Sequence, residues 1–305
     1  MQGREYNKVI KYSQDTPNHE LKPFIKWAGS KTRVIHKLTE LIPNSFETYY
    51  EPFLGSGALL FYLKPAKAVV SDINTELIIT YNCFKNKEEF TLMIKEILNH
   101  EHNHSEEYYY QVRSMDRMKD FIDLPNYKKA ARMIYLNKAC FNGMYRVNSS
   151  GFFNVPADWV RSAFIHIYDK TLYNNLSKYL SSQSIVINND DFEKAVSHAK
   201  SDDFVYFDPP YDEFNEKHSF INYTKNAFGK DEQKRLASVF KDLNNRGVKV
   251  MLSNHDTEFI RELYSGFNIK EISVRRTINS KSTDRGYAKE VIITNYTQED
   301  MQCNR

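Results

Sequence analysis

The chain has 305 residues, long for one compact domain and comfortable for two, and its 41% hydrophobic and 14% aromatic content excludes wholesale disorder. Forty-two Lys and Arg against 39 Asp and Glu leave a net charge of +3, which permits a nucleic-acid partner without requiring one. Cys83, Cys140 and Cys303 are far apart and form no CxxC, so neither a disulfide framework nor a thiolate metal centre is expected. The polar N-terminus lacks the apolar core of a leader, and no segment reaches the roughly 18 apolar residues of a membrane span; a cytoplasmic protein is expected.

In chain order, residues 1–20 are polar and aperiodic, a loose arm. The stretch PFIKWAGSK (23–31) concentrates Lys26, Trp27, Gly29 and Lys31 before a helix start. An indole face can pack against an adenosine or a sulfonium, and a lysine can meet a carboxylate; a basic turn around a core tryptophan is the alternative. From Thr48 the texture becomes βαβα: a strand over 49–53, the loop LGSG, the helical run ALLFYL, a buried strand 68–71 ending at Asp72, and a helix over 76–84. That order predicts a parallel sheet covered by helices.

The loop FLGSG, with Phe53, Gly55 and Gly57, joins strand to helix where glycine lets backbone approach a ligand. It has neither the third glycine of a pyrophosphate cradle nor the GK[ST] of a P-loop. Asp72 ends the next strand, where an acid can accept hydrogen bonds from ribose hydroxyls. A nucleoside ligand without a diphosphate fits, and S-adenosylmethionine is the common one. A structural turn with Asp72 capping the next helix is the other reading.

Residues 85–182 change texture to polar-aromatic helices and a glycine-punctuated loop, NSSGFFNVPADW, without a convincing alternating strand. They are read as a mainly helical insertion between catalytic segments 21–84 and 183–298. The histidines of NHEHNHSEE (99–107) read as a solvated loop, and no metal is expected. Arg113, Arg117, Lys128, Lys129 and Arg132 could follow a nucleic-acid backbone. Strand texture resumes at 184–187 and at FVYF (204–207), followed by a helix over 231–246 with Asp231 as its N-cap and Gly247 as its stop. Strands over 248–253 and 290–296 close the chain, and between them the basic loop 275–289 is either a phosphate contact or a solvated turn.

FVYF runs into Asp208-Pro209-Pro210-Tyr211. This places a carboxylate at the carboxyl edge of the sheet, the ligand crevice of open α/β folds. The exocyclic amine of adenine is a poor nucleophile because its lone pair is delocalised into the ring. Two acceptors for its two N–H bonds favour a more tetrahedral nitrogen and free that lone pair. The Asp208 carboxylate and the Pro209 carbonyl can be those acceptors, with two prolines fixing the backbone, and Tyr211 offers a ring for the base to stack on. A sulfonium is an excellent leaving group, so positioning supplies most of the catalysis.

KWAGSK, EPFLGSG, SDIN, NNDDF, YFDPPY, LSNHDT and EVIITNY stand together in an order that resembles the Dam-like (D12 class, alpha group) DNA adenine-N6 methyltransferases, from Pro23 to Tyr296. The resemblance implies a Rossmann-like α/β methyltransferase fold with an inserted DNA-recognition domain and methyl transfer from S-adenosylmethionine to a flipped adenine. It implies that Trp27, Lys31, Asp72 and Asp208 contact the cofactor, that Asp191 meets its adenine amine, and that Phe192 packs on that ring. Lys26 matches a lysine that reaches the DNA, and CFNGMYRVNSSGFFNVP (140–156) is similar to the family's DNA-reading hairpin. There Phe141 takes the place of an inserting aromatic, Asn142 lies beside the flipped base's vacancy, and Arg146 would read a guanine; Asn148 and Pro156 share the hairpin. The continuation NVPADWV departs from the usual Phe-Gly and basic-aromatic pair, so GATC is the first expectation for the site and a longer one such as GATATC the second. Double-stranded DNA is the expected partner, with the chain acting as a monomer on the nucleoid, alongside a cognate restriction endonuclease where one exists. RNA and cytosine-N4 enzymes on this scaffold commonly begin the motif with Asn or Ser, so Asp208 argues against both; a catalytically inactive DNA-binding module would not need Asp208, Pro209, Tyr211 and Asp72 intact.

Overall fold

A computed structural model of the chain describes residues 21–158, 164–212, 228–275 and 287–297. The N-terminal arm, the end of the recognition stretch at 159–163 and most of the basic 275–289 loop lie outside them. Seven strands form one sheet: β1 (Tyr49–Glu51), β2 (Ala68–Ser71), β3 (Ile185–Asn188), β4 (Phe204–Phe207), β5 (Lys249–His255), β6 (Asn268–Arg275) and β7 (Tyr287–Thr294). Their order is β3-β2-β1-β4-β5-β7-β6. The first five are parallel, whereas β7 runs antiparallel between β5 and β6. This is the expected Rossmann-like α/β architecture. The chain reverses its direction of winding between β1 and β4, so the loops that follow those two strands open on a crevice at the carboxyl edge.

All four residues of β4 are buried, as a central strand covered on both faces must be. Alternate residues serve different cores. Tyr49, Val70, Phe204, Tyr206 and Met251 join the apolar cluster on one face, and Tyr50, Val205, Phe207, Val250 and Leu252 the cluster on the other. The first face is covered by α1 (Ile35–Thr39), α2 (Ala58–Leu63), α3 (Thr75–Lys85), α4 (Lys87–His102), α5 (Glu106–Ser114), α6 (Asn126–Ala139) and α7 (Lys170–Leu180). The second is covered by α8 (Phe192–Ala195), α9 (Lys230–Asn245) and α10 (Glu258–Leu263). The helices of the 85–182 segment share one continuous buried cluster with the sheet rather than having a separate core.

The caps explain several boundaries. Asn74, Asn86, Ser105 and Asp169 each accept a backbone N–H in the first turn of α3, α4, α5 and α7. For α9 the N-cap is Gly229 and Asp231 lies inside the first turn, a shift of two residues from the sequence reading. The stretch 99–107 also differs from the solvated loop expected of it. α4 continues through His102, and His100 falls seven residues after Met93 and three after Ile97, on the buried face. Its ring stacks on Tyr135 and Nδ1 meets the Tyr108 hydroxyl at 2.8 Å. Burial lowers its pKa to about 4, so it is a neutral core histidine. Among the described residues no helix is long and apolar enough to cross a membrane.

Candidate active site

Three parallel strands end in carboxylates: Glu51 on β1, Asp72 after β2 and Asp208 after β4. Asp72 does what a loop-holding acid does. Its Oδ2 accepts from Gly55 N–H and its Oδ1 from Asn74 N–H, both at 2.9 Å, and its own carbonyl accepts from Asn189 at 2.8 Å. One carboxylate thereby ties the glycine loop to the residue before α3, so Asp72 holds the turn while Asn74, not Asp72, caps the helix. Each oxygen keeps a further lone pair for a ligand. Burial raises the Asp72 pKa, and the two N–H donors oppose that rise.

Gly55 is at φ +48°, and a Cβ there would lie 2.9 Å from Trp27 Cδ1, so glycine lets the indole lie directly on the loop. Trp27 stacks in turn on Tyr145, with centroids 4.9 Å apart. Ser30 and Ser56 hydroxyls meet at 2.9 Å and join the KWAGSK turn to the loop. Gly57 caps α2 in a left-handed conformation beneath Tyr81 and Phe61.

Lys31 is buried and its Nζ lies 2.6 Å from Asp208 Oδ1, where the sequence reading had it meeting a ligand carboxylate. The two side chains form an ion pair. Lys31 Nζ also donates to the Gly29 carbonyl at 2.7 Å and lies 4.7 Å from the centre of the Tyr211 ring, over its face. Burial raises the Asp208 pKa while the Lys31 charge pulls it back. Pro209 is buried and Pro210 exposed; the Tyr211 hydroxyl donates to Glu290 at 3.2 Å.

Glu51 was not singled out in the sequence. It is 3% exposed, and its Oε2 has no hydrogen-bond partner among the described residues. Burial lifts its pKa to about 8, with Asp208 and Asp72 adding to the rise. Ile73 is 75% exposed immediately after Asp72. Glutamate in a short strand and an isoleucine in a turn carry no motif-like signal; an apolar residue following a strand-end acid was the only hint.

Phe53 stacks on Phe192 at 5.5 Å. Asp191 has both oxygens engaged by Arg235, at 2.8 and 2.7 Å, and the guanidinium lies 4.0 Å from the centre of the Phe192 ring. Arg235 hydrogen bonding holds the Asp191 pKa down.

The hairpin lies on the other side of Trp27. Asn137, 2% exposed, accepts from Lys26 N–H at 2.9 Å and donates to the carbonyls of Lys26 at 2.8 Å and Gly143 at 3.0 Å. Lys26 crosses the face of Gly143, whose added Cβ would lie 2.5 Å from Lys26 Cδ. Phe141 is 47% exposed in a single helical turn with Asn142 at φ +58°, and Phe141 N–H donates to the Pro156 carbonyl. Exposed Arg146 is held by Asn154, Nε to Oδ1 at 2.7 Å. Asn148 Oδ1 accepts from Ser150 and Phe152 N–H, so that oxygen builds the turn. Arg132, read as a residue that could follow a DNA backbone, is instead 1% exposed and 2.8 Å from Asp116, whose same oxygen accepts from Phe153 N–H. Arg113 and Arg117 donate to the hairpin carbonyls of Val155 and Phe153.

A family model described as D12 class N6 adenine-specific DNA methyltransferase matches residues 27–278. The chain is 43% identical over 277 residues to the type II methyltransferase M1.LlaDCHI of Lactococcus lactis subsp. cremoris, covering 90% of this chain and 96% of that protein. It is 40% identical over 293 residues to the type II methyltransferase M.MjaIII of Methanocaldococcus jannaschii, covering 91% and 100%. A DNA adenine methylase of Haemophilus influenzae is 31% identical over 278 residues, covering 90% and 94%.

Proposed function

The chain belongs to the D12 class of N6 adenine-specific DNA methyltransferases, and from that premise we propose how its residues carry out methyl transfer to adenine. The observation that carries the proposal is Asp208 at the point where the sheet reverses its winding, followed by two prolines, with Glu51 on the adjoining strand β1 and Asp72 one strand further out, after β2. Lys31 pairs with Asp208, and no ion pair to Glu51 or Asp72 forms among the described residues, so the crevice suits a cationic ligand. S-adenosylmethionine, when bound there, supplies a methyl group on a sulfonium. Glu51 Oε2 is a buried acceptor suited to an ammonium group, Asp72 to ribose hydroxyls, and the Trp27 face to the sulfonium end. Phe53, Gly55 and Gly57 let the backbone close on the cofactor. Ile73 and Phe192 border its adenine, and Asp191, kept ionised by Arg235, accepts from the adenine amine with its remaining lone pairs.

The target adenine enters between Asp208 and Tyr211, and Lys31 leaves the face of the tyrosine ring to admit it. The Asp208 carboxylate and the Pro209 carbonyl accept the two amine hydrogens and release the nitrogen lone pair. The N–C bond forms as the S–C bond breaks, and Asp208 receives the proton that the methylated amine sheds. Reaching this pocket from a duplex requires the base to flip out of the stack, at a cost of about a few kcal/mol, to which stacking on Tyr211 returns about 1–3 kcal/mol.

Residues 85–182 are assigned to DNA reading and segments 21–84 and 183–298 to catalysis. Phe141 fills the vacated place in the duplex with Asn142 beside it, Arg146 reads a guanine, and Lys26, Asn148 and Pro156 line the same surface. The site proposed is GATC, with a longer GAT-containing site such as GATATC second. Relatives that carry type II names support pairing with a restriction endonuclease. Asp208→Ala tests the mechanism: transfer from radiolabelled cofactor to duplex DNA is lost while DNA binding by gel shift persists. Robust residual methylation would refute the role of Asp208.

A further inference from the structure

Two successive prolines place two backbone carbonyls at the end of β4, and the chemistry above uses one of them. The other has a dedicated partner. Gln233 of α9, fully buried, donates from Nε2 to the Pro210 carbonyl at 2.9 Å. Its amide is held in that orientation because Asn254, also fully buried, donates from Nδ2 to Gln233 Oε1 at 3.1 Å. Asn254 is oriented in turn by two backbone donors, Asp212 N–H and His255 N–H, each 2.9 Å from Oδ1. His255 Nδ1 meets the Asp212 carbonyl at 2.6 Å, and Thr257 Oγ1 donates to Asp212 Oδ2 at 2.7 Å. The segment Ser253–Thr257, which the methyl-transfer chemistry leaves without a role, thus grips the far end of the Asp208–Asp212 turn. No hydrogen bond to the Pro209 carbonyl forms among the described residues.

We propose that Gln233, oriented by Asn254, is a positioning residue that occupies the Pro210 carbonyl and locks the turn, reserving the Pro209 carbonyl and the Asp208 carboxylate for the amine. The orientation is determined by donor and acceptor arithmetic. A primary amide has one accepting and one donating end, and once Asn254 has taken the oxygen, only the NH₂ is left for Pro210. A carboxylate at 233 accepts from Asn254 equally well but turns a second lone pair toward the Pro210 carbonyl, and only its protonated form restores the donor.

The inference rests on the mechanism proposed above and is tested with Gln233→Glu and Gln233→Met in the full-length protein, reading the single-turnover rate of methyl transfer. At about pH 8.5 Gln233→Glu is expected to lose about 10–100-fold in that rate, with KM for DNA and for S-adenosylmethionine changed less than about twofold. Relative to wild type, its rate recovers as pH falls toward about 6, because burial raises the introduced carboxyl's pKa and protonation returns the donor. Gln233→Met fills the same volume without a donor and is slow at every pH. A rate for either variant within about twofold of wild type at pH 8.5, a glutamate-to-wild-type ratio flat across pH, or a loss confined to KM would each overturn the proposal. If Gln233→Glu does not fold, Gln233→Met carries the test alone, by its rate at unchanged KM. Asp208→Ala separates the two failures: an inert Asp208→Ala beside fully active Gln233 variants removes the brace and leaves the mechanism standing, whereas an active Asp208→Ala removes the mechanism.

Discussion

Glu51→Gln is a perturbation that should stabilise the protein and impair it. The wild-type carboxyl is 3% exposed with one oxygen unpartnered among the described residues, and burial lifts its pKa from 4.5 to about 8. Between those two values the folded chain keeps a proton that the unfolded chain gives up. Stability is therefore full below the unfolded pKa and declines as pH rises toward the folded one. By pH 7 the decline spans about 2.5 pH units, which at about 1.36 kcal/mol per unit amounts to roughly 3 kcal/mol. Glutamine has no such proton. Urea unfolding of both proteins, without cofactor, at several pH values from about 5 to 8 should show a stability gap in favour of the glutamine variant that widens by about 1.4 kcal/mol per pH unit. In calorimetry the variant should bind S-adenosylmethionine about 10–100-fold more weakly, the worth of a hydrogen bond to a charged group. Wild-type binding should tighten as pH approaches 8 and release a proton to the buffer, while the variant's does neither. A stability gap that stays constant across pH would refute the reasoning, because it would mean that Glu51 is already ionised in the folded chain.

Two further substitutions address the DNA side. Arg146→Ala should cost about 1–3 kcal/mol of discrimination at a single guanine with little effect on other positions, read by methylation of site variants; unchanged preference would reject the hairpin assignment. Asn137→Ala leaves Lys26 N–H and the carbonyls of Lys26 and Gly143 without their partner, so it should lower stability by about 2–4 kcal/mol in thermal unfolding and weaken DNA binding in fluorescence anisotropy. Retention of both would show that the KWAGSK turn is held by packing alone.

Much of the site was legible because its parts are local. A run of strand formers stopped by two prolines places Asp208 at a sheet edge, and a glycine loop followed by an acid one strand later places Asp72 at the neighbouring edge. Neither inference needs long-range contacts, only the alternation of a βα fold. Asn137, Gln233 and Glu51 stayed hidden for the opposite reason. Each is a single polar residue inside an otherwise apolar pattern, and its meaning lies in partners that the pattern does not show. Asn137 binds Lys26 across 111 positions, and Arg132 reads as a surface base until Asp116 is seen beside it. His100 was missed because the charged residues around it masked its place on the face of Met93 and Ile97.

By itself, the sequence determined the architecture, the crevice and the acids that line it, because strand and helix periods, turn residues and strand-end positions are short-range properties. Only the tertiary structure decided how those acids are partnered. It paired Lys31 with Asp208, gave both oxygens of Asp191 to Arg235, left one Glu51 oxygen without a partner among the described residues, and assigned the Pro210 carbonyl to Gln233. Hydrogen-bond partnership depends on ångström-scale distances between elements far apart in the chain, and those distances come from packing.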